Sequence, residues 1–194
     1  LQIKEDHCYV SQDIVKEYGR FDAEPAKMFR RYVGRNSRTR AEYSVDIGYE
    51  QFLAPELFFN PEIYSSDFSK PLPEVVDESI LGCPVDTRRA LYSNIVLSGG
   101  STMFKNFHKR LQQDIKTRVQ DRIAANWKRH KMVAEAPDMK VKVFAHDLQR
   151  YAVWFGGSML SAQSEFYKVC HTKAQYMEEG PRIARHNPVF SVAM

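Results

Sequence analysis

The stretch Asn94-Ile95-Val96-Leu97-Ser98-Gly99-Gly100-Ser101-Thr102-Met103-Phe104 constrains the rest of the chain. Ile95, Val96 and Leu97 are a short continuous apolar run of the kind that forms a buried strand. Ser98 to Thr102 is a turn of small residues. Phe104, Phe107, Leu111 and Ile115 then recur at spacings of three and four, which predicts an amphipathic helix from about residue 102. A strand, a glycine turn and a helix in immediate succession aim free backbone N–H groups and a positive helix end at one spot. Glycine has no Cβ, so a phosphate or a flat base can come up to the backbone. A tight turn that merely uses two glycines reads the same way, because a glycine-rich motif alone is only a hypothesis of binding.

Residues 1 to about 9 read as an extended lead-in. Ser11 is placed to cap a helix over about 12–31, which Gly19 and Pro25 break in two. Residues 34–41 are polar and basic and read as a loop. Tyr43, Val45 and Ile47 alternate with Ser44, Asp46 and Gly48, predicting a strand that turns near Gly48 into a second short strand ending at Phe52. Pro55 is placed to open a helix that Asn60-Pro61 stops, and residues 60–72 read as a loop. Pro73 opens a helix ending near Gly82, and Asp86 is placed to cap a short one through Leu91. The helix after the glycine turn carries its stripe through Val119 and Ile123 to Trp127, with basic residues on its other faces. Ala134 to Met139 reads as a loop, and Val141, Val143 and Ala145 predict a strand. A helix follows from Leu148 to about Leu160, in which Gly156 and Gly157 cost about 1 kcal/mol each against alanine. Thr172-Lys173-Ala174-Gln175 fits a capping box in the second of two short C-terminal helices, which Gly180-Pro181 terminates.

No apolar run approaches the roughly 18 to 20 residues of a membrane span, so no membrane insertion is expected. Cys8, Cys83 and Cys170 are far apart and odd in number, which fits free thiols in a reducing compartment, and no pair has metal-ligand spacing. The net charge of +4 comes largely from clusters at Arg30-Arg31, Arg35 to Arg40 and Lys128 to Lys131. No recognised nucleic-acid motif accompanies them, so an acidic protein partner is the expected use. His108, His130, His146, His171 and His186 show no triad or zinc spacing and read as surface or capping residues.

Three segments together carry a family resemblance. The run from Asn94 to Phe104 resembles the second adenosine loop of the actin family, actin and the actin-related proteins. Ile3-Lys4-Glu5 with Cys8-Tyr9-Val10 resembles the segment where that family's cleft meets the ribose. Gln149-Arg150-Tyr151-Ala152-Val153-Trp154-Phe155-Gly156-Gly157-Ser158 resembles the segment that closes the adenine pocket. Glu74 to Glu78, Cys83-Pro84-Val85-Asp86, the charged insertion before Pro137 and the ending His186 to Phe190 point past actin to an actin-related subunit of the actin-branching nucleation complex.

The resemblance implies an α/β fold: the C-terminal half of an actin-like, ribonuclease H-like ATPase, with a mixed sheet flanked by helices and the true N-terminus missing. Residues 1–42 would be a remnant of the small helical lobe. Residues 43–150 would be the core lobe, and 151–194 the helices returning to the other base lobe. The implied function is an ATP-binding, non-enzymatic subunit that acts as a template for a new filament end, in the cytoplasm and cytoskeleton. Its partners would be the other subunits, including a second actin-related protein, actin itself and nucleation-promoting factors. A sugar-kinase-like phosphotransfer enzyme of the same superfold is the alternative.

The implied cofactor is ATP, with magnesium contacts from the missing N-terminal half. The resemblance assigns Gly99, Gly100 and Ser101 to close approach of the nucleotide and Met103 with Phe104 to the adenine face. Pattern alone would make those last two core residues, and actin usually has tyrosine where Phe104 stands. Glu5 would accept the ribose hydroxyls beside Lys4, although an exposed ion pair reads the same in sequence. Arg150 replaces what is often lysine in actin, and a planar guanidinium can stack over a base. Phe155, Met159, Leu160 and Val169 match a partner groove between the base lobes, with burial in the chain's own core the alternative for Leu160. No catalytic residue and no metal ligand is identified.

Overall fold

The apolar stripe after the glycine turn does form a long helix, and the main core is built on it. A computed structural model describes residues 2–67, 69–131 and 136–185. The chain divides into two units, residues 1–150 and 151–194. The first runs α1 (Gln2–His7), α2 (Ile14–Ala23), α3 (Pro25–Met28), β1 (Arg30–Arg35), β2 (Glu42–Ile47), α4 (Glu50–Glu56), α5 (Leu72–Leu81), α6 (Val85–Tyr92), β3 (Ile95–Val96), α7 (Phe107–Arg129) and β4 (Val143–Phe144). The second runs α8 (Ala152–Ser161), α9 (Phe166–Val169) and α10 (Lys173–Glu179).

Phe107, Leu111, Ile115 and Val119 fall on one face of α7 at i, i+4 spacing, and none is more than 1% exposed. They pack with Val10, Phe59, Ile80, Tyr92, Leu97, Val141 and Val143. Two buried polar clusters fasten the other elements to α7. Asp77 on α5 accepts from the Tyr92 hydroxyl at 2.6 Å and from the Arg122 guanidinium, joining α5, α6 and α7. Arg110 reaches Glu56 at 3.1 Å, Asp114 at 2.8 Å and the Ser11 carbonyl at 2.8 Å, joining α4 and the N-terminal segment.

Several local expectations give way to tertiary context. Residues 2–7 are helical, in keeping with the good helix formers Gln2, Lys4 and Glu5, and among the described residues extended pairing in this segment is a bridge between Tyr9 and Lys105. Asp13 caps α2 by accepting from the Lys16 amide, while Ser11 Oγ accepts from the Asp13 amide at 3.1 Å. The helix breaks at Glu24-Pro25 as expected, but residues 30–35 are a strand. They pair antiparallel with residues 42–47, where cross-strand contacts such as Arg31–Asp46 and Tyr32–Tyr43 outweigh helix propensity.

Residues 50–56 are a helix and not a second strand, because Phe52 is fully buried and the Gln51 amide donates to the carbonyls of Met28, Ile47 and Gly48. Pro55 therefore lies inside that helix and not at its start. It has no N–H for the Gln51 carbonyl four residues back, and the Tyr9 amide supplies that bond at 2.9 Å. Pro84, not Asp86, occupies the N-cap of α6.

The long helix starts at Phe107 and not near 102, because Asn106 is left-handed at φ 67° and residues 100–103 form a single 3-10 turn. The sheet is not one mixed sheet among the described residues: β1 and β2 are an antiparallel pair, and β3 and β4 a separate parallel pair. The helix expected from Leu148 opens with a 3-10 turn at Gln149–Tyr151 before α8 begins. The capping box of α10 is present between Thr172 and Gln175, and Gly180 ends the helix at φ 67°. The ending His186 to Phe190 and residues 132–135 of the charged insertion lie outside the described residues.

Candidate functional site

Three segments far apart in sequence meet beside the glycine turn. Gly99 adopts φ 92°, a conformation that side chains with a Cβ avoid. Its carbonyl accepts from Thr102 Oγ1 at 2.7 Å and from the Thr102 amide at 3.2 Å, which closes the turn. The conformational demand thus falls on Gly99 and not on Gly100. Gly100 has a different constraint: a Cβ there would sit 3.2 Å from Arg150 Nε.

Arg150 lies over the turn, and its guanidinium donates to Glu5 Oε1 on α1 in an ion pair. Lys4 places its ammonium 5.2 Å from the centre of the Phe104 ring. Phe104 is half-buried against the core, the reading its pattern alone gives. Met103 is 43% exposed beside it and Ser101 is exposed on the turn. The Val10 amide donates to the Lys105 carbonyl at 2.9 Å, fastening the segment after α1 to the backbone next to Phe104.

Lys4, Glu5, Gly100, Phe104 and Arg150 are therefore neighbours, and Gly99, Ser101 and Met103 complete the same turn. The set offers a flat half-buried ring with a cation above it, a carboxylate with a second oxygen for further donors, and a planar guanidinium. The charged side chains of the set are Lys4, Glu5 and Arg150. α7 itself begins at Phe107, with three residues between it and Met103.

Sequence reasoning missed Gln149. The residue is 4% exposed and its amide donates to the Thr102 carbonyl and hydroxyl. The available signal was slight: one uncharged amide directly before Arg150. In the second unit, Phe155, Met159 and Leu160 lie on α8 and are 58%, 54% and 40% exposed, and Val169 is half-buried at the end of α9. Phe155 and Met159 share a helix face.

The family model described as actin matches residues 1–187. The chain belongs to the actin family. This actin-family chain is 55% identical over 188 residues to Actin-related protein 3 of Drosophila melanogaster. It is 60% identical over 189 residues to Actin-related protein 3 of Acanthamoeba castellanii and 56% over 188 to that of Dictyostelium discoideum. These matches cover 97% of the actin-family chain, which spans 44 or 45% of the length of those relatives. The actin-like α/β expectation therefore holds at the level of the family. Among the described residues no helix is long and apolar enough to cross a membrane.

Proposed function

We propose that this chain supplies the adenosine side of an ATP site in an actin-related subunit of a complex that nucleates branched actin filaments. The carrying observation is that Lys4, Glu5, Gly100, Phe104 and Arg150 come together from three distant segments. Their chemistry fits an adenosine. Phe104 and Met103 suit a flat polarizable base. Glu5 suits ribose hydroxyls, and Arg150 suits the base plane or a phosphate. ATP, when bound, would fix the subunit's conformation; phosphate and magnesium contacts would come from a part of the protein preceding these residues.

In this reading the role is structural and not enzymatic, in the cytoplasmic actin cytoskeleton. The subunit presents a template for a new filament end. Residues 1–42 belong to the small lobe, 43–150 to the core lobe and 151–194 to the other base lobe. The apolar surface of α8, with Phe155, Met159 and Leu160, and Val169 on α9 would receive an adjoining subunit, actin or a nucleation-promoting factor. Phe155 and Met159 share one exposed apolar face of α8, and that supports the reading.

The test is titration of a fluorescent ATP analogue into the full-length gene product that carries this segment. Gly100→Val places a branched side chain where Arg150 lies over the turn, so it should nearly abolish binding. Wild-type affinity in a folded Gly100→Val protein would remove the site from this turn.

A further inference from the structure

We propose that Gln149 is the positioning residue of the nucleotide site: its buried amide locks the glycine turn to the segment that carries Arg150. This rests on the ATP-site reading above. Gln149 Nε2 donates to the Thr102 carbonyl at 3.0 Å and to Thr102 Oγ1 at 2.6 Å. Gln149 Oε1 accepts from the His146 amide at 2.8 Å, and its backbone carbonyl accepts from the Gly99 amide at 3.0 Å. Both ends of the amide are engaged, so the side chain has one orientation.

The Thr102 hydroxyl receives from Gln149 and donates onward to the Gly99 carbonyl, forming a three-member relay into the turn. Hydrogen bonds in such a chain polarise and strengthen one another. The lock matters because of the glycines it holds. Gly99 and Gly100 have no side chains to restrict φ and ψ, so the turn's shape must be imposed from outside. Gln149 imposes it with its side chain turned inward, at 4% exposure. Arg150, the next residue, turns outward to Gly100 and Glu5. One residue therefore sets the turn carrying Met103 and leading into Phe104 in register with the guanidinium that lies over it. Loosening it should impair reading of the base more than attraction for the phosphates.

The experiment uses the full-length gene product with Gln149→Leu, which roughly keeps the volume and removes all three hydrogen bonds of the side-chain amide. Thr102→Val breaks the same relay from its other end, and Thr102→Ser retains the hydroxyl. Hydrogen exchange without nucleotide should quicken at the amides of Gly99 to Met103 in Gln149→Leu and Thr102→Val and stay slow at Leu111 and Ile115. ATP affinity should fall about tenfold, as for loss of one to two hydrogen bonds. CTP affinity should change less than about twofold, and Thr102→Ser should restore the wild-type ratio.

Unchanged exchange at the turn overturns the lock. Equal losses for ATP and CTP, or a Thr102→Ser protein as impaired as Thr102→Val, reduce Gln149 to a packing residue and also overturn it. If Gln149→Leu does not fold, the two threonine variants decide between the same outcomes. A wild-type protein that binds no ATP defeats the function proposed above; the exchange result, which needs no nucleotide, tells that failure apart from failure of the lock.

Discussion

Glu5→Ala should weaken ATP binding by about one order of magnitude, and the structure sets that size. A hydrogen bond to a charged group contributes about 1.5–3 kcal/mol. Against this stands the partner Glu5 already has. Its Oε1 holds Arg150, and the two side chains are 41% and 42% exposed. An ion pair so open to water is worth no more than about 1 kcal/mol. Accepting ribose hydroxyls means sharing or partly surrendering it. With that pair fully surrendered the difference is about 0.5–2 kcal/mol, which is about 2- to 30-fold in affinity at 1.4 kcal/mol per decade. Arg150→Ala should show the competing half of the balance. With the guanidinium gone, Glu5→Ala should cost up to about 1 kcal/mol more than it does in the wild type, a coupling read from the four-protein cycle. The assay is titration of a fluorescent ATP analogue, with circular dichroism as the control for folding. Wild-type affinity in folded Glu5→Ala protein would refute the hydroxyl-accepting role. A loss beyond about 100-fold would refute the reasoning from exposure, because an exposed pair cannot carry so much.

Gly34→Ala should destabilise the hairpin, since a Cβ there would lie 2.6 Å from the Tyr43 ring and 2.8 Å from that of Tyr32. Displacing both rings costs about 1–3 kcal/mol, which lowers the melting temperature by about 2–12 °C in a chain of this size; an unchanged melt would show that the rings swing aside freely. Burial pushes the Glu56 carboxyl up from its ordinary value of 4.5 despite the opposing pull of Arg110, and Oε2 has no hydrogen-bond partner among the described residues. A carboxyl raised in the folded state contributes stability that is full below pH 4.5 and lost as pH rises through the raised value. Urea midpoints measured across that window should fall with pH in the wild type and fall less in Glu56→Gln; parallel slopes would remove Glu56 as the cause. Met159→Asp places a charge on the exposed apolar face of α8 and should weaken docking of an actin-like neighbour, read as reduced branched-filament nucleation in a reconstituted assay. Undiminished nucleation would show that the face is unused.

How much of this was legible in sequence follows from how far each interaction reaches. The stripe of α7, the Pro–Gly bounds of α5, the break before Pro25 and the capping box at Thr172 and Gln175 depend on residues within about four positions, so residue order alone determines them. The grouping of Lys4, Glu5, Gly100 and Arg150 was legible only through family resemblance; no periodicity links Glu5 to a partner 145 positions away. Residues 30–35 became a strand because residues 42–47 offered matching cross-strand partners, and Pro55 could sit inside a helix because Tyr9 covered the carbonyl it left open. The left-handed demand fell on Gly99, and Gln149 became its lock, through bonds spanning 47 positions. Two glycines in a row specify that a turn is permitted and nothing of its shape. The shape is decided by whichever buried donors and acceptors the fold brings alongside, because a polar group removed from water must find a partner wherever one lies.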